Sequence, residues 1–220
     1  RTALVGWALG VSLLLRHGSH GPLLASDVPV TLAEAGFYAA FGFIAAIVVM
    51  ITGSVRLPRR SVPVSPEWAA FGSCGLFALL PGLIANPLVT GQPLAGVLLL
   101  DNAAIGYLLP ALLAFSAARW AREYLAGAGA RRIFGITAII GGLAYLLIEV
   151  RRGFVGPDLL VDAGSAAELY AYSAALLLYG VALLALGFRL QSKDLRLASL
   201  GVVTIAICKA FLIDMSGLEG

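Results

Sequence analysis

Seven apolar runs fill this chain, and its basic residues gather in every second gap between them. A helix needs about 20 mostly apolar residues to cross the hydrocarbon of a bilayer. Spans are expected near 2–15, 32–55, 67–85, 102–120, 132–150, 166–188 and 195–213. The first is shorter than a full crossing, and residues 1–220 are read as a fragment of a larger membrane protein. Lipid offers backbone groups no hydrogen-bond partner, so spanning segments must be helices or a closed barrel. Unbroken apolar runs at 41–51 and 174–186 exclude the alternation of barrel strands. The expected fold is all-α, a polytopic transmembrane helical bundle of about seven spans forming a single domain. Only 12% of residues are charged, about half the share of a soluble domain.

Basic residues near span ends favour the cytoplasmic side. Arg56, Arg59 and Arg60 lie after the second span, Arg119, Arg122, Arg131 and Arg132 after the fourth, and Arg189, Lys193 and Arg196 after the sixth. With Arg1, eleven of the fifteen basic residues fall on one side. Arg16, Arg151 and Arg152 fall on the other, and Lys209 lies within a span. This arrangement puts the Arg1 end in the cytoplasm and the Gly220 end outside, in the periplasm of a bacterial inner membrane. The basic pI of 9.1 therefore reflects topology. Basic patches with interleaved aromatics, which would point to nucleic acid, are missing.

A repeat is visible within the chain. Thr31-Leu-Ala-Glu34-Ala-Gly-Phe-Tyr38 and Ser165-Ala-Ala-Glu168-Leu-Tyr-Ala-Tyr172 share the pattern T/S-x-x-E-x-x-x-Y, with Gly53 and Gly187 expected to close the two helices. Upstream, the stretch from Gly6 to Gly18 parallels that from Gly141 to Gly153, so Arg16 corresponds to Arg151. The 1–55 and 136–190 regions thus read as a parallel internal repeat, a construction known in transporters.

Charges within lipid are costly, which makes them candidate sites. Several have a structural role open to them. Thr31/Glu34 and Ser165/Glu168 fit the capping box, Ser65-Pro66-Glu67 fits an N-cap with proline in the first turn, and Asp101 and Asp194 can cap their helices. Capping leaves unexplained why Glu34, Asp101, Glu149, Arg151, Arg152, Glu168, Lys209 and Asp214 all fall near the expected outer ends. Glu168, Tyr172 and Tyr179 share one helix face, which is expected to look into the bundle. Lys209, thirteen residues beyond Arg196, lies about 20 Å across the membrane. It can snorkel outward or pair with Glu149 or Glu168. Lys209 and Asp214, five apart, fall about 140° apart on an α-helix. The candidate cluster is therefore Glu149, Arg151, Glu168, Tyr172, Lys209 and Asp214, with Arg16, Glu34 and Tyr38 as repeat equivalents.

Other polar features carry less. His17-x-x-His20 lies in a glycine-rich loop with no further ligands beside it, so no metal is expected. Gly6-x-x-x-Gly10 is a general helix-packing pattern, Cys74 and Cys208 read as packing thiols, and Pro81 and Pro110 are expected to kink their spans. Phosphate-binding glycine loops, nucleophile elbows and zinc-protease motifs do not occur, and no cofactor is expected.

The stretch Ser192-Lys-Asp-Leu-Arg196-Leu-Ala-Ser-Leu-Gly201, continuing through Lys209-Ala-Phe-Leu-Ile-Asp214-Met-Ser-Gly217-Leu-Glu-Gly220, resembles the bacterial predicted membrane proteins grouped as domain of unknown function 2339. Glu168-x-Tyr-x-Tyr172-Ser173, Glu149-x-Arg151-Arg152-x-Phe154 and Asn86-Pro-Leu-x-x-Gly91 with Gly106-Tyr-x-x-Pro110 resemble further stretches of that family. The resemblance implies a long, many-spanning inner-membrane protein with more helices after Gly220, which would be partners of this chain alongside the lipid. It implies no activity and no catalytic residue.

Three functions fit these features. Transport or export of a small or envelope-derived substrate is the first, by analogy with duplicated transporters. It should show a water-filled path past Lys209. The second is an enzyme acting on envelope lipid or glycan, which should show two converging carboxylates. The third is a structural or assembly scaffold, in which the charges lock helices together. The sequence names no substrate.

Overall fold

The computed structural model describes residues 10, 13–14, 16–18, 29–52, 54–57, 60–63, 65–124, 128–161 and 165–214. Among them, six helical segments are long and apolar enough to cross a membrane: Leu32–Thr52, Pro66–Thr90, Ala104–Ala121, Ala128–Val155, Ala166–Arg189 and Lys193–Ile213. These match the second to seventh expected spans. The first expected span lies largely outside the described residues, as does Gly6 of the packing pattern. The architecture is a polytopic all-α bundle, as the apolar pattern requires.

In chain order, the helices are α1 (Leu32–Thr52), α2 (Pro66–Leu79), the short α3 (Pro87–Thr90), α4 (Leu109–Tyr124), α5 (Ala128–Val155), α6 (Ala166–Arg189) and α7 (Lys193–Lys209). Two small antiparallel hairpins join them. One pairs β1 (Ser54–Leu57) with β2 (Arg60–Pro63); the other pairs β3 (Gly96–Val97) with β4 (Leu100–Asp101).

Three π-helical turns interrupt the α-helices, at Leu80–Ile84, Ala104–Leu108 and Ala210–Asp214. The first contains Pro81 and the second ends two residues before Pro110, the prolines expected to kink their spans. Proline has no N–H to give and crowds the carbonyl four residues back. At the first break the ladder widens, and Ala85 N–H donates to the Leu80 carbonyl five residues earlier at 2.8 Å. The Tyr107 hydroxyl, in the second π turn, donates to the Pro81 carbonyl in the first at 2.7 Å.

The chain divides into two compact units, Arg1–Tyr145 and Leu146–Gly220, with the boundary inside α5. In the first unit, Phe43 of α1 is fully buried against Phe77 of α2 and Phe134 of α5, and Phe77 meets Tyr107 edge-on. In the second unit, α6 and α7 form an antiparallel pair. The Ser199 hydroxyl of α7 donates to the Gly180 carbonyl of α6 at 2.7 Å. Gly187 was expected to close α6 but lies inside it, since the helix continues to Arg189. Its role is close approach: a Cβ there would fall 2.8 Å from Arg196 Cγ. Gly53 lies outside the described residues.

Candidate functional site

The helix starts follow the capping chemistry of the sequence. The Thr31 hydroxyl accepts from Glu34 N–H at 3.2 Å, that of Ser165 from Glu168 N–H at 3.1 Å, and that of Ser65 from Trp68 N–H at 3.4 Å. Asp101 Oδ1 accepts from the amides of Ala103 and Ala104. One expected cap is displaced. α7 is capped by Ser192, which accepts from Leu195 N–H at 3.4 Å, and Asp194 falls inside the first turn. There its charge faces the positive end of the helix, but it is past the position from which a side chain can cap. Hydroxyls farther along the spans, at Ser73, Ser116, Thr137 and Thr204, return their protons to the carbonyl four residues back.

Four of the six expected residues, Arg151, Glu168, Tyr172 and Lys209, meet at the first two turns of α6. Glu168 is buried, with 2% of its surface exposed. Arg151 Nη1 donates to both of its oxygens, at 2.8 and 3.1 Å. The other guanidinium nitrogens hold the connection between α5 and α6, with Nε on the Leu159 carbonyl at 3.3 Å and Nη2 on the Val161 carbonyl at 2.8 Å. The Tyr172 hydroxyl donates to Glu168 Oε1 at 3.1 Å. One residue around the helix, Lys209 of α7 donates to the Leu169 carbonyl and to the Ser173 hydroxyl, both at 2.9 Å. The start of α6 is thus gripped on adjoining faces by a guanidinium from α5 and an ammonium from α7.

Of the two carboxylates expected to meet Lys209, Glu168 is taken by Arg151. Glu149 is buried on α5, where Arg152, also buried, stands three residues on along the same face. Asp214 ends the third π turn, and its side chain lies outside the described residues. Tyr172 and Tyr179 are half-buried beside buried Glu168, whereas Tyr170 and Leu178 are exposed, so the tyrosine face of α6 looks into protein.

The repeat equivalents show the same local geometry in the first unit. Glu34 is fully buried, and the Tyr38 hydroxyl donates to Glu34 Oε1 at 3.3 Å. Arg16 is helical, half-buried and engaged by its surroundings. The likeness runs into the next helix, beyond the 1–55 and 136–190 regions. α2 and α7 each begin with a capping serine and an acidic first turn, and each ends directly in a π turn.

Sequence reasoning missed the grip on α1. The Gln92 amide accepts from Leu32 N–H at 3.3 Å and donates to the Val30 carbonyl at 3.0 Å. One turn on, Gly36 presses against the backbone of Ile105 and Gly106, where a Cβ would fall 2.7 Å from Gly106 Cα. The loop carrying Gln92 did have a signal. In Asn86-Pro-Leu-Val-Thr-Gly91, Asn86 caps α3 and Gly91 closes it at φ 67°, the sequence order of a one-turn helix.

Among the described residues, no group of three or more His, Cys, Asp and Glu is placed to hold a metal ion. His17 is exposed and His20 lies outside the described residues. Cys74 and Cys208 are free thiols.

Compared with known proteins, residues 2–220 match the model of a family described as predicted membrane protein, DUF2339. No curated protein and no solved structure matches the chain. The chain belongs to the DUF2339 family, over its whole length and not only the C-terminal stretches that carry the resemblance.

Proposed function

We propose, from membership of the DUF2339 predicted membrane proteins as the premise, that this chain is a structural or assembly scaffold of the bacterial cell envelope. The basic bias of alternate loops supports placing it in the inner membrane with the Arg1 end cytoplasmic and the Gly220 end outside. In that orientation the Arg151–Glu168–Tyr172–Lys209 cluster lies near the outer face.

One observation carries the scaffold reading. Every guanidinium nitrogen of Arg151 and both oxygens of Glu168 are engaged by the protein itself. A substrate site leaves hydrogen-bonding capacity for its ligand; this cluster directs its capacity at backbone carbonyls and neighbouring helices. The enzyme reading needs two carboxylates poised for proton transfer, and Glu168 is already held as the partner of a guanidinium. Transport or export is the second reading. It draws on the duplicated helix–helix–π-turn build and on the π turns themselves, which often mark functional sites.

The two readings separate in one experiment on the full-length protein. Arg151→Met leaves Glu168 buried without its cation and is expected to destabilise the unit strongly; adding Glu168→Leu removes the stranded charge and is expected to restore thermal stability. A scaffold then also restores the phenotype of a deletion strain. A stably folded double variant that fails to complement overturns the scaffold in favour of a working site.

A further inference from the structure

We infer that the hairpin tip Val97–Leu100 is a membrane anchor, seated at the boundary between headgroups and acyl chains of the leaflet where the second and third described spans meet. Four consecutive large apolar residues stand exposed there: Val97, Leu98, Leu99 and Leu100. Contiguous exposed apolar surface marks an interaction site, and three observations select lipid as the partner.

The first is depth. Trp68 and Trp120, both exposed, stand at the other ends of the two spans, where tryptophan marks the membrane interface. From Trp68 to Asn86 the chain climbs about 27 Å, and from Trp120 back to Ala104 about 24 Å, close to the hydrocarbon thickness of about 30 Å. The loop between them therefore begins at the far interface.

The second is continuity. No charged residue occurs from 68 to 100, and exposed Leu83, Ile84, Leu88 and Val89 carry the lipid-facing surface of the span directly into the loop. On the inner side, Pro87 and Leu94 are buried, so the loop has a fixed underside and a bare tip.

The third is the turn itself. Leu99 adopts φ 70°, a left-handed conformation that glycine or asparagine takes with little strain. Leucine occupies this position against the local backbone preference. Its carbonyl accepts from the Tyr145 hydroxyl at 2.8 Å, which fixes the tip in place. An apolar side chain in a position suited to glycine is explained by what lies outside the protein.

The test places a single tryptophan at Leu98, with every other tryptophan, Trp7, Trp68 and Trp120 among them, replaced by Phe, in full-length protein reconstituted into nanodiscs of brominated phospholipid. The expected result is loss of most of the Leu98→Trp emission with bromines high on the acyl chain, and clearly weaker quenching with bromines near the midplane. A Val97→Trp probe should behave likewise and guards against a local folding failure. Emission unaffected by either lipid overturns the anchor. Emission that changes with protein concentration and yields tip-to-tip cross-links overturns it in favour of a second copy.

Discussion

The starts of α1 and α6 carry one motif, and the contacts described around each differ in kind. Both have the hydroxyl cap, the buried glutamate and the tyrosine one turn on that donates to it. Around α6 the grip uses charged side chains, Arg151 in an ion pair with Glu168 and Lys209 in hydrogen bonds to Leu169 and Ser173. Around α1 the described grip includes a neutral amide, Gln92, and a backbone approach that only Gly36 permits. Close packing tolerates little change of shape, whereas an ion pair tolerates shape but fails when one charge is removed. Gly36 and Arg151 should therefore be sensitive to different substitutions, one to added volume and the other to lost charge.

The sharpest break is Arg151→Met, which leaves a carboxylate that is 3% exposed without its cation. A loss of about 3–5 kcal/mol is expected in thermal or denaturant unfolding of the detergent-solubilised protein. Gly36→Ala comes next, because the new methyl meets backbone rather than a flexible side chain. About 1–3 kcal/mol is expected, and Ser or Ala should cost less than Val at this site. Lys209→Met removes two hydrogen bonds but keeps the apolar stem, and the same unfolding assay should show a loss of about 1–2 kcal/mol. The smallest effects belong to Tyr38→Phe and Tyr172→Phe, each about 1 kcal/mol or less, and nearly equal because the tyrosine bond is common to both units. Gln92→Ala tests the contrast itself. If it costs as much as Arg151→Met, the difference between an amide grip and an ionic one does not hold.

The spans were legible because lipid imposes length and apolarity on every segment that crosses it. The caps were legible because serine, threonine and aspartate before an apolar run have a local task. Arg151 and Glu168 could be named as candidates, since charges at span ends are few. Their pairing could not be read, because it depends on how the 156–165 connection folds back. Lys209 was recognised as unusual, but its acceptors, a carbonyl and a serine hydroxyl, leave no charge signature in the sequence. Gln92 was invisible for a similar reason: a neutral amide in a loop has no periodicity, and its targets lie sixty residues away. The asparagine-proline start and glycine end of α3 were the one overlooked local signal.

The third π turn alters how the last helix should be read. On an ideal α-helix, Lys209 and Asp214 point about 140° apart, which argues against a pair within the helix. Within Ala210–Asp214 the ladder closes over five residues instead of four, so five steps of chain amount to little more than one revolution. The two backbone positions come back almost into phase. A helical wheel drawn through this segment is out of step by one residue beyond Lys209. Deleting one residue of the turn would return the stretch from Lys209 to its end to α-helical phase.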